Sequence, residues 1–238
     1  MRKVLASVAA GIGAMVCALT VTAANAATVT FSNITGAWSN VVVLDDAGSV
    51  STVGNGTNVA TLAWGEVAPA DPQSSYVFDG ASDFMLDVPP TVQAILGDFT
   101  HNNNPIADPG EELVSATLSV VMDIVIDAVN LGSFSFDFDF SHNETSNTGG
   151  GCCNDIITIT NLSELSQNFL VNGFIYTITV LGFQIGGDEF STVEGMANTA
   201  NLLVEVSVQA IPVPGALALF VSGLAGLFVA YRRRRAVV

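Results

Sequence analysis

Two histidines stand among 238 residues, and both occupy the same local setting. His101 lies in "FTHNNNPIA" and His142 in "FSHNET"; each follows a phenylalanine and a small hydroxyl residue and precedes an asparagine. Imidazole exchanges its proton near neutral pH and is a frequent metal ligand. Amides and carboxylates follow in the chain, Asn103 two residues after His101, and Glu144 and Asp155 two and thirteen residues after His142. If the two segments meet at one end of a folded body, His101, Asn103, His142, Glu144 and Asp155 form a polar cluster able to bind a metal or a glycan. The simpler reading is structural: each imidazole donates to a nearby backbone carbonyl or asparagine side chain and fixes a loop.

Calcium is a separate expectation. Asp137 and Asp139 lie two apart in "FSFDFDF", and "DPGEE" packs three carboxylates into a turn. Calcium takes oxygen ligands from carboxylates, carbonyls and amides, all abundant here. The sequence contains neither an EF-hand nor a nonapeptide calcium repeat, and a solvated acidic face is the plain alternative. Cys152 and Cys153 are adjacent and flanked on one side by three glycines, which is not a metal-ligand spacing. They could bridge each other, bond between chains or stay free. Motifs of catalysis are missing: GxSxG and HExxH do not occur, and pairs of carboxylates arise by chance among 22 acidic residues. The body is therefore expected not to be an enzyme.

Strands must position these groups. Phe134, Phe136, Phe138 and Phe140 alternate with Ser135, Asp137 and Asp139, the period of a half-buried strand. In that register His142 continues on the phenylalanine face. In "ELVSATLSVVMDIVID" the even positions from Val114 to Ile126 are all apolar. "FIYTITVLGFQI" and "NLLVEVSVQ" add two strands rich in β-branched residues, and "ATVTFSNI", "TNVATLAWGEV", "SYVFDG" and "DIITITN" add shorter ones. Clusters of Gly, Asn, Asp and Pro separate the runs, and no helical period is sustained within the body. The expected fold is all-β, a single antiparallel β-sandwich or jelly-roll-like domain over residues 27–210.

Charge narrows the partners. All six basic residues are terminal, as Arg2, Lys3 and Arg232 to Arg235, and all 22 acidic residues lie between them. Nucleic acid is excluded as a partner of the body, because nothing there can replace phosphate counterions. Carboxylates without lysine or arginine must be solvated, bound to cations or held apart at a cost in self-repulsion, so added salt or divalent cation should stabilise the body.

The ends carry addresses. Residues 1–26 combine Arg2 and Lys3, an apolar run and Ala24-Asn25-Ala26, the pattern of a secretory signal cleaved before Ala27. Residues 211–238 read "IPVPGALALFVSGLAGLFVAYRRRR" and then three apolar residues. The 21 residues from Ile211 to Tyr231 are long enough as a helix to span a hydrocarbon layer of about 30 Å, with the arginines on the cytoplasmic side. Pro212, Val213 and Pro214 followed by a glycine-rich apolar helix and Arg232, Arg233, Arg234 and Arg235 resemble the PEP-CTERM type of bacterial sorting signal. Val213 stands where glutamate is commonest, so the motif is closer to the VPLPA variants. The resemblance implies processing by an exosortase-like enzyme, transient membrane attachment through the C-terminal helix, and delivery to the cell surface or an extracellular polysaccharide matrix.

Thr100, His101, Asn102 and Asn103 resemble the motif that names the THxN family of PEP-CTERM proteins. "FSHNETSNTGGGCCNDIITI" is similar to that family's second segment, at His142, Glu144, Thr145, Asn147, Cys153 and Asp155. The family carries no established activity. A non-enzymatic surface or matrix protein is the leading expectation. The rivals are a calcium-dependent carbohydrate-binding module, with Trp38, Trp64 and Tyr76 as candidate stacking rings, and a secreted hydrolase.

Overall fold

The computed structural model describes residues 27–44, 49–65, 72–106, 111–145, 154–211, 220, 222–228 and 231. The expected signal peptide, Cys152, Cys153, Pro212, Val213, Pro214 and Arg232 to Arg235 lie outside the described residues. Phe220 and residues 222–228 are helical, and among the described residues no helix is long and apolar enough to cross a membrane.

The body is built of thirteen described strands. The first six are β1 (Ala27–Val43), β2 (Ser51–Val53), β3 (Val59–Trp64), β4 (Ser74–Gly80), β5 (Phe84–Val88) and β6 (Thr91–Asn102). Then follow β7 (Leu113–Ile126), β8 (Val129–Asn143), β9 (Asn154–Ile159), β10 (Ser166–Val171), β11 (Phe174–Phe183), β12 (Glu189–Val193) and β13 (Ala197–Ala210). They form one sheet in the order β12-β9-β8-β7-β1-β5 and a second in the order β10-β11-β13-β6-β4-β3-β2. The ladders between these strands are antiparallel. The all-β, two-sheet fold expected from the sequence is what the chain adopts.

Alternation explains the layering. From Ala116 to Ile126 the even positions of β7 are buried, and in β8 Phe136, Phe138 and Phe140 are buried while Ser135, Asp137 and Asp139 face solvent. Val114 departs from the expected pattern and is exposed. The β1–β7 register slips there, Val42 pairing with Ser115 and Val43 with Leu113, so Leu113 takes the inward place instead.

An aromatic cluster joins the sheets. The Phe99 ring on β6 lies 5.2 Å from Phe140 on β8, 6.3 Å from Trp38 on β1 and 5.0 Å from Tyr76 on β4. Phe183 and Phe190 close the other side of Phe99, at 5.4 and 5.8 Å. Such stacked, tilted and edge-to-face ring pairs add about 0.5–1.5 kcal/mol each beyond the area they bury.

Candidate functional site

His101 faces inward only because β6 contains a bulge. Val92, Ala94 and Leu96 pack inward at even positions, whereas Gly97, Phe99 and His101 are buried at odd ones. The phase changes at Leu96: Ile95 pairs with Leu203 and Gly97 with Leu202, leaving Leu96 without a partner on β13. One extra residue sends every later side chain to the opposite face. Gly97 permits this by its lack of a side chain, since a Cβ would lie 2.6 Å from the Asp79 carbonyl oxygen and 2.7 Å from the Phe78 ring.

The other members arrive by plain alternation. His142 follows Phe136, Phe138 and Phe140 on the buried face of β8, and Asp155 precedes Ile157 and Ile159 on that of β9. Thr192 follows Phe190 inward on β12 and pairs with Asp155. Past the end of β6 the alternation persists, so that Asn103 is buried and its neighbours point outward. The Asn103 side chain donates to the Thr192 carbonyl at 3.2 Å. Asn102 donates to Ser75 Oγ at 3.0 Å, while the Asn104 backbone N–H donates to Ser74 Oγ at 3.0 Å and its side chain to the Gln73 carbonyl at 2.9 Å. The asparagine run thus has two duties: Asn102 and Asn104 clamp the start of β4, and Asn103 enters the interior.

At this end of the sandwich His101, His142 and Asp155 each offer a ligand atom, and these atoms lie within 4.8 Å of one another. Glu144, Asp155 and Glu194 form a second such group. The His142 Nε2 atom lies 3.1 Å from Glu144 Oε2 and 3.6 Å from Asp155 Oδ2. Its Nδ1 atom is hydrogen-bonded to the Tyr76 hydroxyl. Asp155 Oδ1 accepts from the Thr145 backbone N–H at 3.0 Å and from Thr145 Oγ1 at 3.2 Å. The His101 ring stacks on Trp64 at 5.8 Å and meets the His142 ring edge-on at 5.3 Å. Among the described residues neither ring nitrogen of His101 has a hydrogen-bond partner. The structural role expected of it, donation to a carbonyl or an asparagine, is not seen there.

Burial sets the charge states. It lowers the His101 pKa to about 3, helped by the neighbouring His142 and opposed by Asp155, so His101 is a neutral imidazole. Burial also disfavours a charged His142, but the adjoining Asp155 and Glu144 carboxylates outweigh it and hold its pKa above the usual histidine value. Burial raises Glu144, against the pull of His142. Glu194 is raised by burial first and then by Asp155 and Glu144. The Tyr76 hydroxyl, raised well above its ordinary value by burial and then by Asp155 and Glu144, stays protonated.

The chain matches no family model and no curated protein.

All five residues singled out for binding therefore converge here, with His101, His142 and Asp155 at the centre. Asp137 and Asp139 do not. They lie on the solvent face of β8, where Asp137 accepts from Ser119 Oγ, and Asp139 accepts from Thr117 Oγ1 at 2.8 Å and from the Asn161 side chain at 3.0 Å. Neither belongs to the two candidate ligand groups among the described residues. Trp38, Trp64 and Tyr76 are at most 3 % exposed and belong to the core, so none offers a face to a sugar. Sequence reading missed Thr192, Glu194 and the part played by Tyr76. The five-residue strand β12 carries no composition signal of its own, although Phe190 and Thr192 do show period two.

Proposed function

We propose that this chain is an exported, non-enzymatic β-sandwich protein of the cell surface or the extracellular polysaccharide matrix. The observation that carries the non-enzymatic part is the burial of the reactive groups. His101, Asn103 and Asp155 are 0 % exposed, so the side chains best suited to acid–base or metal chemistry have no face open to a substrate. Export and sorting rest on the terminal sequences, including the Pro212-Val213-Pro214 motif and the four terminal arginines, and on the resemblance to the THxN family. The outward face suits a wet, anionic matrix: Asp123, Asp137 and Asp139 are satisfied by hydroxyls and amides of neighbouring strands rather than by basic partners.

Mass spectrometry of protein recovered from the medium or matrix of a producing bacterium tests this reading. A chain starting at Ala27 and ending near Pro212 to Pro214 is expected. A cell-retained chain that still carries Arg232 to Arg235 would overturn the sorting part.

A carbohydrate-binding role has one observation in its favour. A groove of about 580 Å³ runs beside β9, β12 and β13, lined by Asn154, Gln184, Asn198, Asn201 and the exposed Ile185. Amides beside an exposed isoleucine suit sugar hydroxyls and ring faces. Retention on the producer's own polysaccharide, lost on Gln184→Ala with Asn201→Ala, is the outcome this second reading requires.

A further inference from the structure

We propose that His101, His142 and Asp155 bind one divalent transition-metal ion of the zinc class, in a buried site that ties the two sheets together. The inference stands whether or not the chain is exported. His101 is fully buried and, among the described residues, both of its ring nitrogens lack a hydrogen-bond partner. Leaving such a polar group unsatisfied in the interior costs on the order of 1–3 kcal/mol, and a metal bond to one nitrogen removes much of that cost. Asp155 is equally buried. Thr145 satisfies its Oδ1 atom, but among the described residues Oδ2 has no hydrogen-bond partner. No lysine or arginine exists between Val4 and Tyr231, so an ion is the available source of further positive charge beside this carboxylate.

Spacing agrees with a tetrahedral ion. Bonds of 2.0–2.2 Å to nitrogen and oxygen place the ligand atoms of a tetrahedron about 3.4 Å apart. The 3.6 Å from His142 Nε2 to Asp155 Oδ2 is close to that value, and His101 needs only to close from within 4.8 Å of both. The support around His142 fits as well. With Nε2 on the metal, Nδ1 carries the proton and donates to the Tyr76 hydroxyl, which orients the ring from behind. Two imidazole nitrogens favour a zinc-class ion over calcium or magnesium, which take oxygen ligands. Burial of all three ligands leaves no face of the ion open to a substrate, and this makes the site structural. His101 comes from the second sheet, whereas His142 and Asp155 come from the first, so the ion cross-links them.

Co2+ added to the untagged full-length chain in detergent, after stripping with chelator, tests the proposal. One equivalent should bind and shift the ring-proton resonances of both histidines, which are easily assigned because the chain has only two. Zn2+ should displace it and excess Ca2+ should not. His101→Gln and Asp155→Asn should each weaken binding about 100-fold or more with unchanged circular dichroism, in line with loss of a direct ligand. No uptake, uptake that leaves either histidine unshifted, or displacement by Ca2+ would overturn the proposal. The wild-type spectra decide the matter even where a variant fails to fold.

Discussion

Asp137 and Asp155 are aspartates of the same sheet, and neither has a lysine or arginine within the body to pair with. Asp137 lies on the open face of β8 beside Ser119, in water. Asp155 lies on the inner face of β9, sealed beside His142 and Thr145. On the outer face a carboxylate needs only a hydroxyl and solvent, and its neighbours Asp123 and Asp139 are handled in the same way. Inside, the same group must be met by hydrogen bonds and a positive partner. One chain thus manages excess acid in two ways, and the inner way commits it to a specific constellation.

In the chelator-stripped chain the largest separation between the two regions should come from deleting His142, the one group there able to carry positive charge beside Asp155. His142→Ala is expected to cost about 3–5 kcal/mol, because it leaves buried carboxylates uncompensated. Asp137→Ala should stay within about 0.5 kcal/mol, as surface changes usually do. Chemical denaturation measures both, and equal costs would erase the distinction. Gly97→Ala comes next, at about 1–3 kcal/mol, since the new methyl group collides with Asp79 and Phe78. This variant should also displace His101, visible as a changed ring-proton shift; an undisturbed His101 would remove the bulge from the explanation.

Added salt should raise the thermal midpoint, and it should do so through the outer face. Replacing Asp123, Asp137 and Asp139 with asparagine should flatten that salt dependence, whereas Asp155→Asn should leave its slope unchanged. The smallest effect concerns pH. Hydrogen bonds from Ser133 and then Asn33 hold the Asp123 carboxyl below its ordinary value of 3.8. Its contribution is present above that unfolded value and is lost as the pH falls through the lower folded one. Wild type and Asp123→Asn should therefore converge in stability below pH 3.8, by a margin near the limit of detection. Divergence in acid would reverse the assigned sign.

Much of the scaffold was legible because solvent and core impose period two. The alternation in β7 and β8 identifies their buried faces, and through Phe140 it places His142 inside. β6 resisted the same reading. Its phase breaks at Leu96 and Gly97, and a bulge depends on the neighbouring strand rather than on local composition. Asn103 and Glu144 could be named from their proximity in the chain to the two histidines, whereas Asp155, thirteen residues beyond His142, could not. That they meet depends on long-range pairing, such as Asp155 with Thr192 and His101 with Tyr76, and a single strand does not encode its partner. Trp38, Trp64 and Tyr76 illustrate the same limit, since an aromatic ring in a strand reads alike whether it packs inward or waits for a ligand.

The most direct test of the buried centre is a thermal melt of the chelator-stripped chain, repeated with Zn2+ and with Ca2+. Zinc at a hundredfold excess over its dissociation constant should add about 2.7 kcal/mol. For a body of this size that is roughly 5–10 °C in the midpoint, and calcium should fall well short of it. A midpoint indifferent to zinc, or raised equally by both ions, would contradict a nitrogen-ligated metal centre and leave the two histidines as core residues only.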